Sequence, residues 1–197
     1  MTRQELAETV GIELGGTFSK ILDNLFIRVS QTPISDLSKT WSGFYSTPAA
    51  FVMDGGVVTL SKRLIEKLGK SEEEIRALAE DNTVKELVKR PLFQMVKELA
   101  PSADIPEIDG EVSPVVLTNK KGIQGAGIIT LLSRVLQKAY IILPSSVHEI
   151  LCIPYGEGMD TASFTQMVRE VNQAEVRPEE RLADNAFLFK DGCLTVI

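Results

Sequence analysis

The chain has one histidine and two cysteines in 197 residues, and these scarcities remove several chemistries before any motif is read. A structural zinc site takes four Cys or His ligands at short spacings, and a lone imidazole with two distant thiols, Cys152 and Cys193, does not supply them. No metal or other cofactor is expected. Each thiol lies inside an apolar strand-like run, which predicts buried, unpaired cysteines in a reducing compartment. A basic excess is missing too: 21 Lys plus Arg against 27 Asp plus Glu leave a formal net charge of −6, which repels a phosphate backbone. A nucleic-acid partner is therefore not expected. No apolar run approaches the roughly 18 to 20 residues of a membrane span. The N-terminal MTRQELAETV carries acids where a signal peptide needs an apolar centre. The reading is a soluble, cytoplasmic protein without membrane association.

What is present is ordinary globular composition, 44% hydrophobic and 24% charged, in a length that favours a single domain over 1–197. Its first part, 1–100, reads as mainly helical. Leu14, Phe18, Ile21, Leu22, Leu25 and Val29 recur at spacings of three and four and predict an N-terminal helix. Ser30 to Thr47, rich in Ser, Thr and Pro, reads as a surface connection tacked down by Trp41, Phe44 and Tyr45. AAFVM and VVTL flank Asp54-Gly55-Gly56, a hairpin signal. Ser61 is placed to cap a helix ending at Leu68, with Gly69 as its left-handed terminator. Ser71 and Glu74 form a capping box ahead of an inward stripe of Ile75, Leu78 and Ala79. Lys85, Lys89, Arg90 and Lys97 form the one basic cluster, read with Glu86 and Glu98 as a solvated mixed-charge helix face. Pro91 opens a short helix carrying Leu92, Met95, Val96 and Leu99.

Residues 101–113, with two prolines and several acids, read as a linker. Beyond it, 114–197 reads β-α-β-β-α-β-β. The strands are Val115–Thr118, Tyr140–Leu143, Glu149–Ile153, Ala186–Lys190 and Cys193–Ile197, and the helices Ala126–Lys138 and Thr161–Gln173. The second helix has Asp160 as cap and Phe164, Met167, Val168 and Val171 as its buried face. Asp191-Gly192 makes the last two strands a hairpin. Hairpins mixed with helices argue α+β: a mixed, largely antiparallel sheet with N-terminal and crossover helices packed on it and a C-terminal β-hairpin.

Two places invite chemistry. Gly122-Ile123-Gln124-Gly125-Ala126-Gly127 lies between a strand and a helix, where glycine turns cradle phosphates. Its spacing matches neither the dinucleotide nor the P-loop pattern, so tight strand-to-helix packing is the favoured reading and nucleotide or anion binding the minor one. Ser145, Ser146, His148 and Glu149 bring nucleophile, base and acid together in sequence, yet no G-x-S-x-G elbow is present. In a strand His148 and Glu149 point to opposite faces, which favours a structural histidine over a catalytic one.

Leu117-Thr118-Asn119-Lys120 with Gly125-Ala126, ILPSSVHEILCIP from Ile142, and MVREVNQAEVRPEERLADNAF from Met167 to Phe187 resemble an uncharacterised domain-of-unknown-function family, DUF5688-like, of Clostridia-type gut bacteria. The chain departs from that pattern at WSGFYSTPAAF, Trp41 to Phe51, where the family carries a more polar stretch. The resemblance implies no activity, cofactor or partner. It does implicate Asn119, Lys120, Ser145, Ser146, His148, Glu149, Arg169, Glu170 and Asn172 as a surface cluster. The function expected is that of a non-catalytic protein-interaction or regulatory domain, acting on a protein partner or as a homo-oligomer through an exposed apolar patch. The alternatives are a small hydrolase or transferase using His148 with Ser145 or Ser146, and nucleotide or anion binding at Gly122–Gly127.

Overall fold

The computed structural model describes residues 18–52, 56–102 and 113–197. Leu14, the turn residues Asp54 and Gly55, and 103–112 of the linker lie outside them. The first helix, α1 (Phe18–Asp23), is short and gives way to strand β1 (Leu25–Ser30). This corrects the helix expected through Val29. Leu25, Ile27 and Val29 also satisfy a period of two, and aromatic and β-branched side chains fit a pleated surface. β1 pairs antiparallel with β3 (Phe44–Phe51), from Leu25↔Ala50 to Ser30↔Tyr45. β2 (Lys39–Trp41) and β4 (Val57–Thr59) share the other edge of β3. The expected hairpin of β3 and β4 is present. A second hairpin corrects the expected surface connection: Ser42 and Gly43 have φ of 41° and 90°, the two left-handed residues of a type I′ turn, between Trp41 and Phe44.

Helix α2 (Lys62–Lys67) starts where the Ser61 hydroxyl accepts the Leu64 N–H and ends at left-handed Gly69. The capping box of Ser71 and Glu74 opens α3 (Glu72–Lys85). Ile75 and Ala79 are fully buried against Leu25, Ile27 and Ala50, whereas Leu78 is 37% exposed, against expectation. Arg76, its guanidinium pKa lowered by burial against the opposing pull of Glu72 and Glu80, donates to the Leu37 carbonyl and the Ser46 hydroxyl. The chain then turns into strand β5 (Leu87–Pro91), so Lys85, Lys89, Arg90 and Lys97 do not share one helix. Helix α4 (Leu92–Leu99) follows, as Pro91 predicts.

The second sheet adds β6 (Val115–Asn119), β7 (Tyr140–Leu143), β8 (Ile150–Pro154), β9 (Phe187–Lys190) and β10 (Cys193–Val196), in the order β10-β9-β7-β8-β6-β5, all antiparallel. The architecture is α+β, and β9 and β10 form the expected hairpin over Asp191-Gly192. Helix α6 (Ala162–Ala174) packs on the sheet through Phe164 and Val168. Asp160 accepts the Ala162 N–H at its start. Met167 and Val171, expected inside, are 44% and 39% exposed, and Asn172 takes the inward position instead.

The two sheets meet at the segment after β6. The expected helix Ala126–Lys138 is a 3₁₀ helix over Gly125–Leu131 followed by one α-turn, α5 (Leu132–Val135). Its first two amides, which have no acceptor within a helix, are satisfied from outside: Gly125 N–H bonds the His148 carbonyl and Ala126 N–H the Val147 carbonyl. The Thr130 hydroxyl bonds back to the Gly127 carbonyl, and β-branched Ile128, Ile129 and Thr130 disfavour an α-helix. Poor 3₁₀ geometry is offset by burial of Ile128, Ile129 and Leu132, each 2% exposed or less, at about 1.5–3 kcal/mol per side chain. Gly127 lies against the free edge of β1, where a Cβ would stand 1.7 Å from the Ile27 carbonyl oxygen.

Candidate functional site

The turn that carries Gly122 to Gly127 is one wall of a cleft of about 390 Å³. Its other walls come from the end of α1, the end of β3 and the end of α3, so residues distant in sequence converge there: Asp23, Phe51, Glu86, Lys120, Lys121 and Gln124. Lys120 is latched to Glu86 twice, backbone N–H to carbonyl and Nζ to Oε1, both at 3.1 Å. The Lys121 ammonium stands 5.1 Å from the centre of the Phe51 ring. Phe51 in turn stacks on Phe26 with centroids 4.2 Å apart. The side chain of Asn119 holds the turn closed, donating to the Ile123 carbonyl and accepting the Lys121 N–H.

The N–H groups of Lys121, Gly122, Gln124, Gly125 and Ala126 are all bonded within the protein. At Gly125 a Cβ would meet the His148 carbonyl, the Thr118 hydroxyl and the Asn119 nitrogen at 2.6–2.7 Å, which is the close approach that requires glycine. Gln124 departs from the rules twice: its φ is 55°, left-handed for a residue with a side chain, and its buried Oε1 has no hydrogen-bond partner.

His148 sits behind this turn and helps to fix it. Its Nδ1 accepts the Gln124 N–H at 3.2 Å, so the proton of the neutral ring lies on Nε2, 3.3 Å from Glu180 Oε1. Its carbonyl accepts from both Gly125 N–H and the Thr118 hydroxyl, each at 2.9 Å. The acid beside the imidazole is thus Glu180, from the turn Pro178–Glu180, while Glu149 is exposed elsewhere. Folding alone could bring Glu180 there, and no local spacing announces it. Ser146 is buried and its hydroxyl accepts the His148 backbone N–H. Ser145 accepts Leu182 N–H at its carbonyl. Among the described residues no hydrogen bond joins either serine hydroxyl to the imidazole.

The remaining cluster candidates divide. Asn119 and Lys120 line the cleft. Arg169, Glu170 and Asn172 stand on α6, where Arg169 donates to the Asp184 carbonyl and Asn185 Oδ1, and Glu170 accepts from Gln166. Asn172 is 1% exposed, so it is a core amide and not a surface residue. It donates to the Ala183 carbonyl and to Asp184 Oδ1, tying α6 to the approach to β9.

The thiols also divide. Cys152 is fully buried, and burial pushes its thiol pKa up to about 12. Cys193 lies exposed on edge strand β10, against the expectation of burial. Thiolate is the reactive species, so a native-state alkylating reagent is expected to modify one thiol per chain, with the second reacting only after denaturation. Peptide mass mapping reads the site, and fast native labelling of Cys152 would contradict this packing.

An exposed apolar surface lies on α4. Half-buried Leu92 shares one face with exposed Val96 and Leu99, none of the helix's residues is buried, and Leu99 is 86% exposed. Arg90 pairs with Glu98 on the polar side. Lys89 donates to the Val135 carbonyl, whereas Lys85 and Lys97 have no carboxylate partner among the described residues. Among the described residues no helix is long and apolar enough to cross a membrane, and no group of three or more His, Cys, Asp or Glu is placed to hold a metal ion.

The chain belongs to DUF5688, a family of unknown function, whose profile matches residues 24–191. No curated protein and no solved structure matches it.

Proposed function

We propose that this chain is a non-catalytic interaction domain that holds an acidic, amphipathic segment of a partner protein against α4 and the neighbouring edge strand β5. The observation that carries the reading is α4 itself: an amphipathic helix of eight residues with none of them buried. Helices this short are marginal in water, and an apolar stripe left open calls for a covering surface. The chemistry of that surface follows from charge. From Lys85 to Leu99 there are four cations, and the two acids, Glu86 and Glu98, are already engaged by Lys120 and Arg90. Lys85 and Lys97 remain to meet carboxylates of a partner. Pairing of β5 with β5 of a second copy is disfavoured, because Lys89, Arg90 and Pro91 on that edge are the residues that blunt edge-to-edge association.

A photo-crosslinking amino acid at position 99, compared with one at exposed Glu157, tests this in cells that express the chain natively. The expected result is a discrete adduct from position 99 only, with an acidic crosslinked peptide. Its yield should fall about tenfold in Lys85→Glu/Lys97→Glu, the loss of two rim charges. Equal labelling from both positions, or adducts that are only a second copy of this chain, would overturn the reading.

A further inference from the structure

We infer that the cleft between Asp23, Phe51 and Lys121 binds a small zwitterion with an apolar side chain, of the free amino acid or short peptide kind. This goes beyond the interaction surface on α4 and does not depend on it. The inference begins with the charges that line the cleft. Of its two cations and two anions, Lys120 and Glu86 neutralise each other at 3.1 Å. Lys121 and Asp23 are left, one charge of each sign, both exposed and neither with an ionic partner among the described residues.

An anionic ligand alone would satisfy Lys121 and leave Asp23 repelling it, and a cationic ligand alone would do the reverse. A molecule that carries both charges satisfies both. The apolar wall is supplied by Phe51, which is held flat by its stack on Phe26 at 14° between planes. Lys121 presently rests on that ring, a contact worth about 0.5–1 kcal/mol at an exposed site. A carboxylate can draw the ammonium away at modest cost, opening the ring for a side chain. The volume, about 390 Å³, lies at the small end of ligand pockets. The inner wall is Gln124, whose left-handed backbone is held by the His148 imidazole.

Isothermal titration with a panel built on one side chain separates the parts. Phenylalanine and Phe-Gly carry both charges, 3-phenylpropionate only the anion, phenethylamine only the cation, and N-acetylphenylalanine amide neither. The expected order places the zwitterions about tenfold above either single-charge probe, with the neutral probe weakest. Phenylalanine against Phe-Gly distinguishes a free amino acid from a peptide. Lys121→Met should bring the zwitterion down to the affinity of phenethylamine, and Asp23→Asn down to that of 3-phenylpropionate. Unchanged unfolding midpoints of both variants establish that the fold is intact. Equal binding of the single-charge probes, or no saturable heat with any probe at millimolar concentration, would overturn the inference.

Discussion

Alanine at Gly127 is expected to destabilise the protein by about 4 kcal/mol or more, lowering the thermal midpoint by about 8–16 °C for a chain of this size. The added methyl carbon would lie 1.7 Å from the Ile27 carbonyl oxygen and 2.8 Å from its carbon, so the two backbones would have to part by more than an ångström. Neither side can yield cheaply. Ile27 is 1% exposed, and its N–H donates to the Thr83 hydroxyl at 2.8 Å, which itself donates to the Ala79 carbonyl at 2.7 Å. On the other side Ile128 and Ile129 are packed in the core of the second sheet. Separation would therefore open the seam between the sheets and strand a buried amide. Gly156→Ala is the control, since a Cβ there meets nothing within 4 Å. Urea unfolding should place that variant within about 0.5 kcal/mol of the parent. A Gly127→Ala protein within about 1 kcal/mol of the parent would show that the close approach does not exist.

That seam explains which parts of the fold were legible in the sequence. The Ser71–Glu74 capping box, left-handed Gly69 and the Asp191-Gly192 turn were readable because each is fixed by bonds within a few residues. At strand β1 the sequence is ambiguous: Leu22, Leu25 and Val29 fit a helical spacing while Leu25, Ile27 and Val29 fit a strand equally well. Pairing with β3, which no local pattern contains, decides between them. The Ser42-Gly43 hairpin is masked in the sequence because its flanks, Trp41 and Phe44, lie in a segment whose Ser, Thr and Pro content resembles a loop. The apolar spacing of Ala126 to Lys138 fits an α-helix, but β-branched Ile128, Ile129 and Thr130, with the Thr130 hydroxyl bonded back to the Gly127 carbonyl, favour the 3₁₀ form.

The candidate site divides the same way. The glycine turn was located by sequence and its packing role anticipated, since the crowding at Gly125 and Gly127 is what only glycine tolerates. The cleft beside it was not, because Asp23, Phe51 and Glu86 reach it from three elements that do not neighbour the turn in sequence. The same holds for Glu180, which meets His148 only after the chain has passed through β8 and α6. His148 has its Nδ1 on the Gln124 backbone amide and its Nε2 beside Glu180, and its backbone N–H, not its imidazole, donates to the Ser146 hydroxyl.

The Asn172→Asp protein is expected to lose about 3–5 kcal/mol at neutral pH, although the substitution changes no volume. The Asn172 amide nitrogen donates at 2.8 Å to the Ala183 carbonyl and at 2.6 Å to Asp184 Oδ1. Both neighbours are acceptors, which fixes the amide orientation and means that an ionised carboxylate in its place would face two oxygens in a site that is 1% exposed. A protonated carboxyl can still donate one of the two bonds. Folding therefore favours the protonated form, and the introduced group has its folded-state pKa above the unfolded value of about 3.9. The sign follows: between those two values the folded state binds more protons, so the variant loses stability as pH rises. Its deficit against the parent should be smallest below the unfolded pKa and grow as pH rises through the folded one. Urea unfolding of both proteins from about pH 4 to about pH 8 measures that difference directly. The double variant Asn172→Asp/Asp184→Asn removes one facing charge and restores a donor, so it should recover part of the loss and flatten the pH dependence. A deficit that stays constant with pH, or no recovery in the double variant, would mean that the Asn172 amide does not hold α6 to the approach to β9, and would return the residue to the surface cluster in which its sequence first placed it.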